Sequence, residues 1–308
     1  MGCVNVKKQA KLRMKVTPSS TFITDNSRIS NYDFPPPTPS DYEPLSFLGA
    51  GGFAEVTACK HIRTKKIRAQ KKIPKSKLKQ YHLHTSKRPK EAYILESLNH
   101  PNILSFYEYF EDKENYYLIT EVCKGNSLYS QLVKSGKFSE KKLKETMFQI
   151  LKAVEYLHCK KIVHRDIKPE NVLLTSSNGL NMKLSDFGSA DEIVGNEKLF
   201  GGFGSVFYLA PEILVGEYDE KIDIWSCGVM MWVLFTGKQP YIEKDQKAIK
   251  ERIVMKPLQP CQIELEGLSC DGFDFIKKML EVDAEIRVSA KEALKHKWFE
   301  DCGKKYDN

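Results

Sequence analysis

VHRDIKPENVLL, from Val163 to Leu174, is the stretch on which the reading of this chain turns. His164 to Asn171 is mostly polar and charged, while its flanks are apolar. Asp166, Lys168, Glu170 and Asn171 sit close together, and the chain then returns directly to Val172-Leu173-Leu174. One reading is a solvated loop between two elements. The other is a loop of working side chains held between a helix and a strand by apolar anchors. The rest of the chain decides between them.

The 308 residues, 41% apolar and 11% aromatic, suffice for one large or two small domains with a substantial core. Lys and Arg number 48 against 40 Asp and Glu, a net charge of +8 that is unevenly placed. Gly2 to Thr24 holds five basic residues and no acid, and Lys60 to Lys90 holds thirteen and no acid. Such blocks attract phosphate, nucleic acid, acidic proteins or anionic lipid, and a solvated basic face is the plain alternative. The 8 cysteines are scattered without a C-x-x-C pair, which argues against zinc and redox motifs. With no apolar leader at the start, a reducing compartment is expected. The longest uncharged apolar run, Ile224 to Gly237, is shorter than the roughly 20 residues of a membrane span and reads as a core helix.

Residues 1–40 read as a tail, rich in Ser, Thr and Asn, with a spacer at Phe34-Pro35-Pro36-Pro37-Thr38-Pro39. Strand patterns follow at Leu45–Leu48, Glu55–Cys59, Ile67–Ile73, Ile103–Phe110 and Tyr116–Thr120. One helix interrupts them near Glu91–Leu98, with Pro89 expected in its first turn. Leu143, Met147, Ile150, Leu151, Val154 and Leu157 then recur at helical spacing behind an N-cap at Ser139 and a Phe138/Leu143 staple, ending near Cys159. Later helices are expected over Ile222–Phe235, Gly272–Leu280 and Ser289–His296. The fold class is therefore α+β, a small β-rich lobe followed by a larger helical one, and a cleft between such lobes is a common ligand site.

Four features carry chemistry. LGAGGFAEV, 48–56, places Gly49, Gly51 and Gly52 between two strand patterns, where backbone N–H groups can approach phosphates, although a plain hairpin turn fits equally well. Lys71 follows on a strand, with Glu91 on the next helix as a candidate partner; taken alone the pair is worth under about 1 kcal/mol. Asp186-Phe187-Gly188 ends a strand pattern, and its carboxylate suits Mg²⁺, with Asn171 as a second oxygen ligand. An isolated Asp-x-Gly would be read as a turn. The fourth feature is the opening stretch itself.

Taken in order, LGAGGFAEV, Lys71, Glu91, HRDIKPEN, DFG, APE at Ala210–Glu212, DIWSCGV at 223–229 and Arg287 resemble a eukaryotic protein kinase from near Asp41 to near Phe299. Lys168 resembles the serine/threonine branch, and HPNIL, YYLITE, KPENVLL and HKWF look most like the calcium/calmodulin-dependent group, in particular calcium-dependent protein kinases. The resemblance implies a bilobal fold, with the N-lobe over 41–121, the C-lobe over 122–300 and a short tail at 301–308. It implies ATP and Mg²⁺ as cofactors and protein Ser/Thr hydroxyls as substrates. Asp166 would orient the hydroxyl and accept its proton, Lys168 would neutralise charge on the transferred group, and Lys71, paired with Glu91, would bind phosphates. Asn171 and Asp186 would hold magnesium. The loop Gly49, Ala50, Gly51, Gly52, Phe53 and Ala54 would cover the phosphates, and Leu48, Val56, Ala69 and Leu173 would sandwich adenine. Glu121 and Cys123 would offer hinge backbone atoms behind a small gatekeeper, Thr120, and Glu170 would line the peptide side. Leu95, Phe106, His164 and Phe187 would form a buried spine, Asp223 would anchor the catalytic loop, and Glu212 would pair with Arg287.

The sequence departs from the family pattern in several places. Ala54 replaces the third glycine of the loop; polo-like kinases carry a similar GGFA, which implies retained activity. Ser127 stands where basophilic kinases have a glutamate, which weakens any preference for basic substrates. Asp191 to Gly204 contains no Ser, Thr or Tyr, so no phosphorylation is expected there, and Glu197 or its acidic neighbours are expected to replace the phosphate opposite Arg165. Ser205 is read as structural. No D-x-[DN]-x-[DN]-G loop occurs, so regulation by a calcium-binding domain within this sequence is not expected. MGCVNVKK resembles an acylated terminus, with Gly2 for myristate and Cys3 for palmitate, although Val6 replaces the usual Ser or Thr. The expectation is a monomeric cytoplasmic enzyme, held at the cytoplasmic face of a membrane when acylated. A catalytically silent scaffold and a nucleic-acid binder are the alternatives. Intact Lys71, Asp166, Asn171 and Asp186 argue against the first, and the lack of any nucleic-acid motif argues against the second.

Overall fold

The strands of the first lobe pair into one antiparallel sheet. The computed structural model describes residues 37–300 except Phe53, 178–180 and Asn196. The lipid acceptors expected at Gly2 and Cys3, and Phe53 of the glycine loop, lie outside the described residues. Strands β1 (Tyr42–Ala50), β2 (Glu55–His61) and β3 (Ile67–Pro74) are followed by helix α1 (Lys90–Glu96), β4 (Phe106–Glu111) and β5 (Asn115–Thr120). The sheet order is β1-β2-β3-β5-β4. All six residues of β5 are buried, because this strand is covered on both faces. On one face Ile119 packs with Tyr42, Cys59, Phe110 and Tyr117. On the other, Leu118 joins Ile73 and the α1 residues Ile94 and Leu95 in the main core.

The second lobe begins with α2 (Leu128–Ser135) and α3 (Glu140–Cys159). Ser139 caps α3 by accepting the Lys142 N–H, and Phe138 and Leu143 are both buried beside the cap. Two short antiparallel pairs follow: β6 (Ile162–Val163) with β9 (Asp191–Glu192), and, between them in sequence, β7 (Val172–Leu174) with β8 (Met182–Leu184). Helices α4 (Pro211–Val215), α5 (Lys221–Thr236), α6 (Gln246–Met255), α7 (Cys270–Met279) and α8 (Ala290–Ala293) complete the lobe. Every residue of α5 from Ile222 to Leu234 is buried, as expected of a helix that is apolar all round and runs through a core. It stops at Gly237, at φ +70°, where an added Cβ would lie 2.2 Å from the Gly136 carbonyl oxygen. Among the described residues no helix is long and apolar enough to cross a membrane.

Element boundaries differ from the sequence expectation in several places; β1, for example, expected over Leu45–Leu48, runs Tyr42–Ala50. Pro89 is the N-cap of α1 rather than part of its first turn. The strand expected from Ile103 begins only at Phe106, because Ile103 bridges to Leu184 in the other lobe and Leu104 donates its N–H to the Leu184 carbonyl at 3.0 Å. The last helix spans Ala290–Ala293 behind a capping box at Ser289 and Glu292, shorter than the expected Ser289–His296.

Arg287 is fully buried and forms a two-pronged pair with Glu212, at 2.5 and 3.1 Å. It also donates to the carbonyls of Lys221, Glu281 and Val282, so one guanidinium ties α4, the start of α5 and the turn after α7 together. Removing one partner leaves the other charge buried and unpaired. We expect Glu212→Ala to lower the unfolding free energy in urea by about 3–5 kcal/mol.

Candidate active site

The site is built upward from Asp223, in the first turn of α5, which is entirely buried. Its carboxylate accepts the backbone N–H groups of His164 and Arg165, both at 2.9 Å, and faces His158 Nε2 at 3.0 Å. Burial pushes this carboxyl up, but the His158 hydrogen bond, the nearby histidines and the amide donors outweigh burial and hold it below its ordinary value. The grip holds Arg165 at φ +66°, a left-handed conformation that costs energy for a non-glycine residue. His164 is core, not chemistry. It is buried, its ring lies 4.8 Å from that of Phe187, and Nε2 is 3.1 Å from the Ser185 carbonyl oxygen. Leu95 and Phe106 are buried as well.

Anchored this way, the loop presents Asp166. One carboxylate oxygen accepts from Lys168 Nζ at 2.7 Å and Asn171 Nδ2 at 2.9 Å, and the other accepts the Ser205 N–H at 2.9 Å. Lys168 also donates to the Ser205 hydroxyl at 2.6 Å. Val163, Ile167, Val172 and Leu174 are completely buried on either side, whereas Glu170 is exposed. The loop is thus neither free nor solvated. Asn171 donates its amide to the Asp166 side chain and backbone, which leaves its side-chain oxygen as an acceptor. Its backbone carbonyl accepts from both the N–H and the hydroxyl of Ser185, which sets Asn171 beside the neighbour of Asp186.

Across the cleft, Lys71 lies on β3 between Val56 and Leu118. Its ammonium contacts both oxygens of Glu91, at 2.7 and 2.8 Å, and Asp186 Oδ1 at 2.8 Å. Burial disfavours the Lys71 charge, but Asp186 and Glu91 more than offset it and keep the amine protonated well above its ordinary range. Asp186 moves the other way: the Lys71 charge, against burial, holds its carboxyl at about 2. An Asp–Asn oxygen pair suits Mg²⁺, which takes one or two protein oxygens and completes its shell with water and phosphate.

The glycine loop is a hairpin closed by Ala50 opposite Glu55 and by the Gly51 N–H to the Ala54 carbonyl at 2.9 Å. Neither protein crowding nor a positive φ requires glycine at 49, 51 or 52, since a Cβ there would meet no protein atom within 4 Å. Bare backbone facing open space fits the close approach of phosphates. Ala54 is buried. Ala69 and Thr120 are buried, Val56, Leu173 and Cys123 half-buried, and Leu48 more exposed. Burial pushes the Cys123 thiol up to about 11. Glu121 uses its side chain to accept from the Ser105 N–H and Lys183 Nζ, both at 2.7 Å. Ser127 caps α2 by accepting the Ser130 N–H.

Glu197 or its acidic neighbours are the expected partners of Arg165, and it is Asp191 rather than Glu197 that takes the place. Among the described residues the carboxylate on Arg165 is Asp191, at 3.1 Å, which also pairs with Lys90 at 2.8 Å. The β6–β9 ladder sets Asp191 opposite Val163, two residues before Arg165, and Glu197 lies beyond that ladder. The Lys168–Ser205 contact adds a hydrogen bond to the structural role expected of Ser205. For Asp191, the signals in the sequence are that Lys90 adjoins Glu91 and that Asp191 is the first acid after the Asp-Phe-Gly triplet.

The pH dependence of Asp186 has a definite sign. A carboxyl held at about 2 instead of 3.8 adds stability above about pH 4, and that contribution is lost as the pH falls from 3.8 towards 2. In a carboxyl ¹³C titration, Lys71→Met is expected to return the Asp186 midpoint upwards and to shrink this acid-labile part of the stability.

The described geometry agrees with what known proteins share with this chain. The family model "Protein kinase domain" matches residues 42–299. Calcium-dependent protein kinase 4 of Plasmodium berghei (strain Anka) is 35% identical over 261 residues, covering 83% of this chain and 49% of that protein. Calcium-dependent protein kinase 5 of Plasmodium falciparum (isolate 3D7) is 36% identical over 253 residues, covering 82% and 44%. Serine/threonine-protein kinase cds1 of Schizosaccharomyces pombe (strain 972 / ATCC 24843) is 37% identical over 276 residues, covering 84% and 58%. The chain spans about half the length of the curated relatives it matches. With its sheet-and-helix lobes, its anchored HRD loop and this matched extent, the chain belongs to the protein kinase family, among relatives of the calcium-dependent protein kinases.

Proposed function

We propose that this protein transfers the γ-phosphoryl group of ATP to serine and threonine hydroxyls of other proteins, and so acts in signalling. The observation that carries this reading is one cleft holding both halves of the machinery. Asp166 is fixed by Lys168, Asn171 and Ser205, opposite a closed Lys71–Glu91–Asp186 cluster. Phosphoryl transfer asks for positioning and charge neutralisation more than for covalent help. Asp166 would orient the acceptor hydroxyl and take its proton. Lys168, 2.7 Å from that carboxylate, would stabilise negative charge at the same point. Lys71 would hold phosphate oxygens, with Glu91 setting its direction. Asn171 and Asp186 would hold magnesium, which when bound supplies charge neutralisation to the phosphates. Leu48, Val56, Ala69 and Leu173 would enclose adenine, with the backbone at Glu121 and Cys123 as the hinge. Gly49, Ala50, Gly51, Gly52, Phe53 and Ala54 would cover the phosphates. Glu170, exposed beside the loop, would face the peptide.

Ser127 spends its hydroxyl as a helix cap, which supports weak selection for basic residues before the acceptor. The M-G-C start and the acid-free basic stretch Gly2–Thr24 support acylation at Gly2 and Cys3 and a place at the cytoplasmic face of a membrane. The protein would act as a monomer, not on nucleic acid, and its regulation would not depend on a calcium-binding domain in this chain.

The test is transfer from labelled ATP·Mg to generic protein substrates, with and without calcium. We expect calcium-independent transfer that Asp166→Asn lowers at least about 100-fold, with nucleotide binding retained. Nucleotide binding without any transfer by the unaltered protein would point to a scaffold instead. Gly2→Ala is expected to release the protein from the membrane fraction, since one remaining anchor gives only marginal attachment.

A further inference from the structure

We infer that Asp191 is a positioning residue for phosphoryl transfer, doing within the unmodified chain what a phosphate on the activation segment would otherwise do. The inference rests on the kinase reading above and names the residue that makes it independent of segment phosphorylation. Asp191 lies on β9, opposite Val163 in the β6–β9 ladder, so its backbone is fixed relative to the start of the HRD loop. One oxygen of its carboxylate meets Lys90 Nζ at 2.8 Å and the other meets Arg165 NH2 at 3.1 Å. Lys90 is the first residue of α1, and its neighbour Glu91 grips Lys71. Arg165 immediately precedes Asp166. A single carboxylate therefore ties the helix that directs Lys71 to the loop that presents Asp166.

Arg165 has little room for another anion. Its side chain is 5% exposed. Nε donates to the Ser189 carbonyl at 2.5 Å, NH1 reaches the Tyr218 hydroxyl at 3.4 Å, and the Phe203 ring centre lies 4.2 Å from Cζ. Phe203 in turn meets Tyr81, ahead of α1, edge to face at 5.5 Å. The activation segment is thus held from both ends without a phosphate, and residues 191–204 contain no hydroxyl that could carry one. If Asp191 loses its charge, Lys90 and Arg165 lose the carboxylate they share. The first turn of α1 is then no longer tied to the loop.

The experiment uses the full chain, treated with phosphatase before assay, as wild type, Asp191→Asn, Asp191→Glu and Glu197→Ala. The wild type is expected to keep its transfer rate after treatment. Asp191→Asn is expected to lower kcat about 10- to 100-fold, the range for misplaced rather than missing catalytic groups, with a smaller change in the KM for ATP. Asp191→Glu should restore most of the rate, and Glu197→Ala should change nothing. Hydrogen exchange of the α1 amides is expected to quicken in Asp191→Asn while that of α5 stays slow, a pattern that general destabilisation would not give. Wild-type kcat and α1 protection in Asp191→Asn would overturn the inference, as would a phosphatase-sensitive wild type. Should Asp191→Asn fail to fold, Lys90→Met cuts the same tie from its other end, and full activity with a protected α1 there would overturn it equally. If the wild type transfers no phosphate at all, the kinase reading fails, while the exchange comparison still decides whether Asp191 positions α1.

Discussion

A carboxylate with no contact to water, Asp223, accepts two consecutive backbone N–H groups at 2.9 Å, and the arrangement of the cleft follows from that grip. A buried charge is tolerable only when it is paired and hydrogen-bonded. Asp223 meets that condition with the amides of His164 and Arg165 and the ring of His158. In return it holds Arg165 in a left-handed conformation that an unsupported chain would leave. Once the backbone turns there, His164 goes down into the core against Phe187 and Asp166 comes up into the cleft. The charged residues of the loop stay dry enough to act strongly on one another because the flanking apolar residues are completely buried.

The two lobes share one apolar core, which includes Leu95 and Phe106 beside Leu184 and Phe187, and charges join them at the site. Lys71 from the sheet sits between Glu91 of α1 and Asp186 of the helical lobe. Asp191 adds a second tie from the helical lobe to α1, through Lys90. Charge-assisted contacts of this kind are directional, so α1 cannot rotate without breaking several together. They are also partly exposed, with Asp186 about half open to water, and are weaker than the sealed Glu212–Arg287 pair deeper in the lobe. The chain therefore combines a buried base, set by α5 and Arg287, with a cleft whose two sides are also tied by a few ion pairs.

The departures from the family pattern become physical in this setting. Ser127 replaces a substrate-binding acid with a helix cap, so the position serves the fold. Ala54 is buried at the end of the glycine hairpin, where a small side chain can be packed, while the exposed tip keeps the bare glycines Gly51 and Gly52. Asp191 places an acid on Arg165 without modification, and Phe203 covers the face of the guanidinium.

The amino-acid sequence by itself determined the α+β order of elements, the helix spacing from Leu143 to Leu157, the core helix over Ile224–Gly237 and the list of polar residues in the cleft. Each of these depends on local periodicity or on residue chemistry that tertiary packing did not override. The six buried residues of β5, the bridge of Ile103 to Leu184 and the shorter last helix were decided by packing across the chain. The same holds for the partner of Arg165. The sequence pointed to Glu197 or its acidic neighbours without choosing among them, and the β6–β9 ladder puts Asp191 beside the loop. Which acid meets which base depends on strand register, and register is a property of two segments brought together, not of either one read alone.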